Sequence, residues 1–198
     1  MHPENFYTAF GCLACAFARM EADLRALIAG LAFGENTITA SVFLDSSQLA
    51  ENSKKLRKLA REHEELEPAM VEIAHRIDKL RESRNLFIHG IWEDGSLGLA
   101  GGGASVRDLN TSYEKQASDR LWASGRAKKF TIDDFNTLLT EVDAITASIG
   151  RLWNSLANDD ETAFPMLPKP GHSCSLRLVI RSDGALAVVD GQPPAART

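Results

Sequence analysis

The chain has 198 residues, 44% of them hydrophobic and 25% charged, with a formal net charge of −5. That leaves room for one domain with a real core, or a domain plus an appendage, in the composition of an ordinary globular protein. An acidic balance excludes a surface built throughout to coat nucleic acid, although a local basic site is compatible with it.

Cysteines occur only at 12, 15 and 174. An odd, sparse set is no disulfide framework, and the expected compartment is a reducing cytoplasm. Residues 5–18 carry no charge, but that stretch is too short to span a bilayer. The start, Met1-His2-Pro3-Glu4, lacks the basic region of a signal peptide. The sequence therefore predicts neither export nor membrane insertion. No repeat of 20–50 residues is visible.

In chain order, Phe6, Phe10, Leu13, Phe17, Met20, Leu24, Leu27 and Leu31 alternate steps of four and three. This stripe predicts one long helix packed lengthwise, with Gly34 as its stop. Asp45, Ser46 and Ser47 offer N-caps for a second helix reaching about His63, with Leu49, Leu56, Leu59 and Ala60 as its apolar side. Lys54, Lys55, Arg57, Lys58 and Arg61 stand close together on it with no acid between them. Such a run is either a solvated face or a contact for an RNA backbone.

Pro68 suits the first turn of a third helix. Met70, Ile73, Ile77, Leu80, Phe87 and Ile91 make its stripe, and Arg84 occupies the place that completes the stripe between Leu80 and Phe87. A charge in an apolar seam is costly unless paired, so this departure is informative. Residues 92–130 then read as a flexible, glycine-rich excursion with short strands near Ser105–Leu109 and Arg120–Phe130, anchored by Trp92 and Trp122.

A fourth helix opens with a near-capping box, Thr131 with Asp134, and a hydrophobic staple, Phe130 with Phe135. Phe135, Leu138, Val142, Ile145, Ile149, Leu152 and Leu156 form its stripe, and Asn158-Asp159-Asp160 ends it. Pro165, Pro168 and Pro170 mark a linker. Leu176–Ile180 and Ala185–Val189 flank Asp183-Gly184 as a hairpin. An isolated hairpin is marginal in water, so it should pack on the helices or pair with the 92–130 excursion. The expected architecture is all-α: an antiparallel four-helix bundle over 1–160, a linker and hairpin over 161–190, and a disordered tail over 191–198.

Two constellations carry little. Cys12 and Cys15 have CxxC spacing, but a structural metal site needs four ligands, and both read as core cysteines. Glu72 and His75 have the spacing used in di-iron bundles, which require a second copy and two further glutamates. His63 and His172 read as surface residues. No phosphate-binding glycine loop or serine nucleophile elbow is present, and no cofactor is expected.

The densest chemistry lies in Arg81-Glu82-Ser83-Arg84-Asn85-Leu86-Phe87-Ile88-His89-Gly90. Asn85 and His89 are one helical turn apart, and Arg81 lies a turn earlier on the same line. Arginine is permanently charged and histidine exchanges protons near neutral pH, which is what phosphodiester chemistry needs. One of each is thin for an enzyme, and a two-fold dimer through this helix would supply two.

The string Arg84-Asn85-x-x-x-His89, at the end of the third of four helices, resembles the signature of the HEPN superfamily. The pattern of helices agrees over roughly 5–157 and the specific motif over 84–89; the hairpin is not part of the family pattern. The resemblance implies a small helical domain with a composite site at a homodimer interface, active as a metal-independent ribonuclease in toxin or phage-defence systems, with a possible antitoxin partner. Arg84, Asn85 and His89 would then be catalytic, with Arg81, Lys54, Lys55, Arg57 and Lys58 holding the RNA. The alternative is a non-catalytic HEPN-like module binding a nucleotide or a partner protein, and a third reading is a plain bundle whose function lies in the hairpin.

Overall fold

The computed structural model describes residues 3–33, 39, 48–93, 103–107, 127–159 and 176–190. Among them are four helices, α1 (Pro3–Phe33), α2 (Leu49–Ala60), α3 (Glu67–His89) and α4 (Ile132–Asp159), and five short strands, β1 (Ile91–Glu93), β2 (Ala104–Arg107), β3 (Ala127–Phe130), β4 (Leu176–Ile180) and β5 (Leu186–Asp190). The protein is mostly helical, as its periodicity predicts. Gly34, Asp45, Ser46, Ser47, Trp122, His172, Cys174, the proline linker and the tail lie outside the described residues. No described helix is long and apolar enough to cross a membrane.

The chain divides into two compact units. The first holds residues 3–14 of α1, the end of α3 from Glu82, the three strands β1–β3, α4 as far as Leu139, and the β4–β5 hairpin. β1, β2 and β3 form one antiparallel sheet in that order, with Trp92 opposite Val106 and Val106 opposite Lys128. β2 and β3 fall where strands are expected in the excursion. β1 does not: Ile91 reads as the last position of a helical stripe, yet it begins a strand. Gly90 ends the helix, and Ile-Trp is β-prone sequence that finds its partner in β2, a distant pairing that local periodicity cannot register. Gly103 precedes β2 because nothing larger fits. A Cβ there would lie 2.5 Å from the Phe130 carbonyl oxygen.

α4 starts as its sequence dictates. The Asp134 carboxylate accepts from the Thr131 amide at 2.7 Å and from the Thr131 hydroxyl at 2.8 Å, while the Asp134 amide donates to Thr131 Oγ1 at 3.3 Å. Phe130 and Phe135 close the staple with ring centroids 6.0 Å apart.

The hairpin does not pair with β1–β3; it forms its own two-stranded sheet. Two asparagines fasten it. Asn136 of α4 donates to the Leu178 carbonyl at 3.0 Å and accepts from the Leu178 amide at 2.9 Å. Asn5 of α1 donates to the Gly184 carbonyl at 2.9 Å and accepts from the Leu186 amide at 2.8 Å. Each carboxamide presents one donor and one acceptor, so it occupies a strand edge as a neighbouring peptide would. The turn spans Ser182, Asp183 and Gly184, one residue longer than the Asp-Gly pair alone, with Gly184 at φ 80° and the Arg181 amide donating to the Ala185 carbonyl at 2.8 Å.

The second unit holds residues 15–33 of α1, α2, α3 as far as Arg81, and α4 from Thr140. Phe17, Met20, Leu24, Leu27, Leu56, Met70, Ile73, Ile77, Leu80, Val142, Ile145, Ile149 and Leu152 are buried, as the stripes require. The buried arc of α4 is wider than a three–four seam, as is usual for a helix on a globular core. Leu139, in the first unit, and Trp153 are buried, while Leu138 and Leu156 are half-exposed. The core side of α2 is also less apolar than expected. Leu59 is half-exposed, and Asn52 and Ser53 are buried in its place, with Ser53 donating to the Ala74 carbonyl at 3.1 Å. Its N-cap is Gln48, which makes no side-chain capping bond. Arg76 of α3 donates to Glu141 at 2.9 Å, and that bond holds the guanidinium proton more tightly than usual.

Two outcomes are expected. Asn136→Ala leaves a partly buried amide and carbonyl at Leu178 without partners, so it should cost about 1–3 kcal/mol. Hydrogen exchange at the Leu178 amide should accelerate, and an unchanged rate would mean that the clamp carries no load. The second concerns Asp23 of α1, whose Oδ2 is buried with no hydrogen-bond partner. Burial raises its pKa, against a smaller opposing pull from Arg19. The folded chain therefore holds this proton longer than the unfolded chain does, and the associated stability disappears as the pH rises through the native value. Asp23→Asn should melt higher than wild type near pH 7 and converge with it near about pH 3, below the ordinary aspartate range. A melting temperature that falls at neutral pH would contradict this.

Candidate functional site

Arg84, Asn85 and His89 all fall in the first unit, on the last turns of α3. Asn85 and His89 are exposed and one turn apart, and Arg84 is half-buried. Arg84 Nη1 donates to Asn85 Oδ1 at 3.3 Å, so the structure joins the two residues that the motif sets side by side. Arg84 does interrupt the seam, for Leu80 and Phe87 on either side of it are buried.

What makes this helix end a platform is its aromatic footing. Phe87 is fully buried and stacks on Phe10 of α1, with centroids 4.5 Å apart and ring planes at 18°. It meets Trp92 of β1 edge-on at 5.3 Å and Phe135 of α4 at 5.5 Å. Trp92 also touches Phe6 at 5.0 Å and Phe130 at 5.6 Å. The Trp92 indole N–H donates to the Phe87 carbonyl at 2.9 Å, and the Gly90 amide donates to the Leu86 carbonyl at 2.9 Å. Two carbonyls of the last turn, where a helix runs out of internal donors, are thereby satisfied. His89 stands between a buried ring two residues before it and a fixed indole three residues after it. Trp92 thus fills the anchoring role its position predicts.

The other expected RNA contacts, Arg81, Lys54, Lys55, Arg57 and Lys58, belong to the second unit. Lys54 and Lys58 are exposed and Lys55 is half-buried. Arg57 is committed within its own unit: its guanidinium lies 2.6 Å from the Asp78 carboxylate and donates to Ser53 Oγ at 3.4 Å. The absence of acids within the run on α2 thus concealed an acid on α3. Arg81 is half-buried.

Cys12 and Cys15 are not core cysteines: Cys12 is half-buried and Cys15 exposed. They lie outside the buried arc marked by Leu13 and Phe17, which spacing within an uncharged segment does not reveal. Glu72 and His75 are both exposed, and no group of three or more His, Cys, Asp or Glu among the described residues is placed to hold a metal ion.

Sequence reasoning missed Tyr7. It is the most exposed large hydrophobic side chain among the described residues, 69% accessible where the others reach about 40%. It stands next to Phe6 in an apolar run and merges with it by composition. The available signal was angular, since Tyr7 lies about 100° round the helix from Phe6. No protein-family model, curated protein or solved structure matches this chain.

Proposed function

We propose that the protein is an HEPN-like endoribonuclease that cuts single-stranded RNA without a metal ion, with Arg84, Asn85 and His89 at its centre. The observation that carries this reading is the exposure of Asn85 and His89 on one face of a helix end that six aromatic side chains and two carbonyl-satisfying hydrogen bonds hold in place. Chemistry of this kind needs positioned side chains on a rigid element, not on a loop. The order of the four described helices is also compatible with an HEPN-like bundle.

RNA carries its own nucleophile. The 2′-oxygen attacks phosphorus, its proton passes to a base, the P–O5′ bond breaks, and an acid protonates the departing 5′-oxygen. The products are a 2′,3′-cyclic phosphate and a 5′-hydroxyl. His89 serves as base or acid. Arg84 holds the phosphate bidentately as charge builds on it. Asn85 orients His89 or a phosphate oxygen. A second copy of α3 across a two-fold axis supplies the second histidine and arginine that base and acid roles require together. Within a cell this activity fits a toxin or phage-defence effector kept in check by an antitoxin.

His89→Ala and Arg84→Ala should each slow cleavage of a single-stranded RNA by about 10²-fold or more. EDTA should leave the rate unchanged, and a 2′-deoxy nucleotide at the scissile position should block the cut. The exposed His89 contributes little packing, so His89→Ala should keep its stability within about 0.5 kcal/mol. If wild type and both variants leave a mixed RNA pool equally intact, the non-catalytic nucleotide- or protein-binding module replaces the enzyme. Light scattering should give twice the 21.6 kDa chain mass at micromolar concentration, and a stable monomer would remove the composite site.

A further inference from the structure

We propose that Tyr7 is a nucleobase-stacking platform for the RNA strand whose backbone Arg84 and His89 engage. The inference rests on the ribonuclease reading of that site, and it adds a base contact to groups that handle only phosphate and ribose.

Tyr7 sits on the second turn of α1, in the same unit as the motif. Its neighbours in sequence show why its exposure is informative. Phe6 and Ala9 are buried, 5% and 0% exposed, and Phe10 is half-buried on Phe87. α1 therefore already has its core residues here, and the Tyr7 ring is not needed among them. A large flat side chain 69% open to water is a ring with a face to offer.

The ring is nonetheless fixed at its root. Tyr7 meets Phe6 at 5.5 Å with ring planes 70° apart, an edge-to-face contact. Phe6 in turn packs on Trp92 at 5.0 Å, and the Trp92 indole donates to the carbonyl of Phe87, two residues before His89. Tyr7 is thus joined to the end of α3 through two ring contacts and one hydrogen bond. It continues the buried aromatic cluster out to the surface of the unit that carries the motif.

The chemistry of the ring selects its ligand. A phosphate gains little from a phenol face. A nucleobase stacks on one, whatever its sequence, because every base has a π-face. A tyrosine loses few torsions when it is covered, so the contact costs little ordering. An enzyme with this feature would prefer strands whose bases are splayed and free, which is how proteins read single-stranded RNA.

Binding can be read apart from cleavage with a fully 2′-O-methylated oligouridine, which lacks the nucleophile, using fluorescence anisotropy on the full chain. Tyr7→Ala should weaken binding about tenfold, within the range seen when a stacking aromatic is removed, and Tyr7→Phe should bind as wild type does. An abasic oligonucleotide of the same length should bind wild type and Tyr7→Ala equally. Circular dichroism should show Tyr7→Ala folded, since its side chain is mostly in water. If Tyr7→Ala binds the oligouridine as tightly as wild type while Arg84→Ala loses it, the stacking platform is wrong and the proposed site stands. If Tyr7→Phe fails as badly as Tyr7→Ala, the hydroxyl and not the ring face makes the contact, and stacking is overturned. If wild type binds no RNA at all, the platform and the ribonuclease reading fall together.

Discussion

The contact on which the motif-bearing unit depends is the meeting of Phe87 with Trp92. Around these two side chains converge α1 through Phe6 and Phe10, the sheet through Phe130, and α4 through Phe135. Each aromatic pair adds about 0.5–1.5 kcal/mol beyond the area it buries, and truncating a fully buried phenylalanine costs about 3–5 kcal/mol. Those magnitudes are large against a total stability of about 5–15 kcal/mol. The cluster therefore does more than fill space. It also pins the end of α3, because the indole N–H donates to a carbonyl of the last turn, and so it fixes where His89 stands.

The hairpin is a second case of side chains finishing what the backbone leaves open. A two-stranded sheet has two free edges, and free edges invite pairing with other chains. Here Asn136 takes the amide and carbonyl of Leu178, and Asn5 takes the Leu186 amide and the Gly184 carbonyl. Asn5 is itself only 6% exposed. A buried carboxamide that lost its strand would be costly, so α1 and α4 gain from the hairpin as the hairpin gains from them. The reading of the sequence that assigns the whole function to this hairpin has less to recommend it once the hairpin is seen as a fastened part of its unit.

Legibility in the sequence followed the range of the interaction. Periodicity of three and four located the four described helices, because it reports a local geometry. The capping box at Thr131 and Asp134 was legible for the same reason, spanning only four residues. The turn at Gly184 was legible because only a residue that tolerates φ 80° closes it cheaply. What failed was long-range. β1 needs β2 to exist, and neither Ile91 nor Trp92 announces that partner. Arg57 looked free because its acid, Asp78, lies 21 positions away on another helix. Asn5 and Asn136 look like ordinary polar residues on amphipathic helices, since nothing in their neighbours names a strand more than 40 residues distant. At the site, the adjacency of Arg84 and Asn85 was legible and so was the turn between Asn85 and His89. The exposure of Tyr7 was not, because exposure is a property of the packed surface.

The Arg84–Asn85 contact bears on whether this site is poised for an anion or simply built to hold itself together. At 3.3 Å and on the exposed side, the bond is longer than the usual range for its type, and its acceptor is a neutral amide. A guanidinium meeting a phosphate makes a charge-assisted, often bidentate bond about twice as strong as a neutral one. Under the proposed function, a charged phosphate oxygen competes with the neutral Asn85 amide for that guanidinium. In that reading Asn85, one turn from His89, is left to orient the imidazole or a second phosphate oxygen. Arg76 and Arg57 are held instead by carboxylates at short distance, Glu141 and Asp78. The long bond to a neighbouring amide is the feature of Arg84 on which the proposed phosphate contact builds.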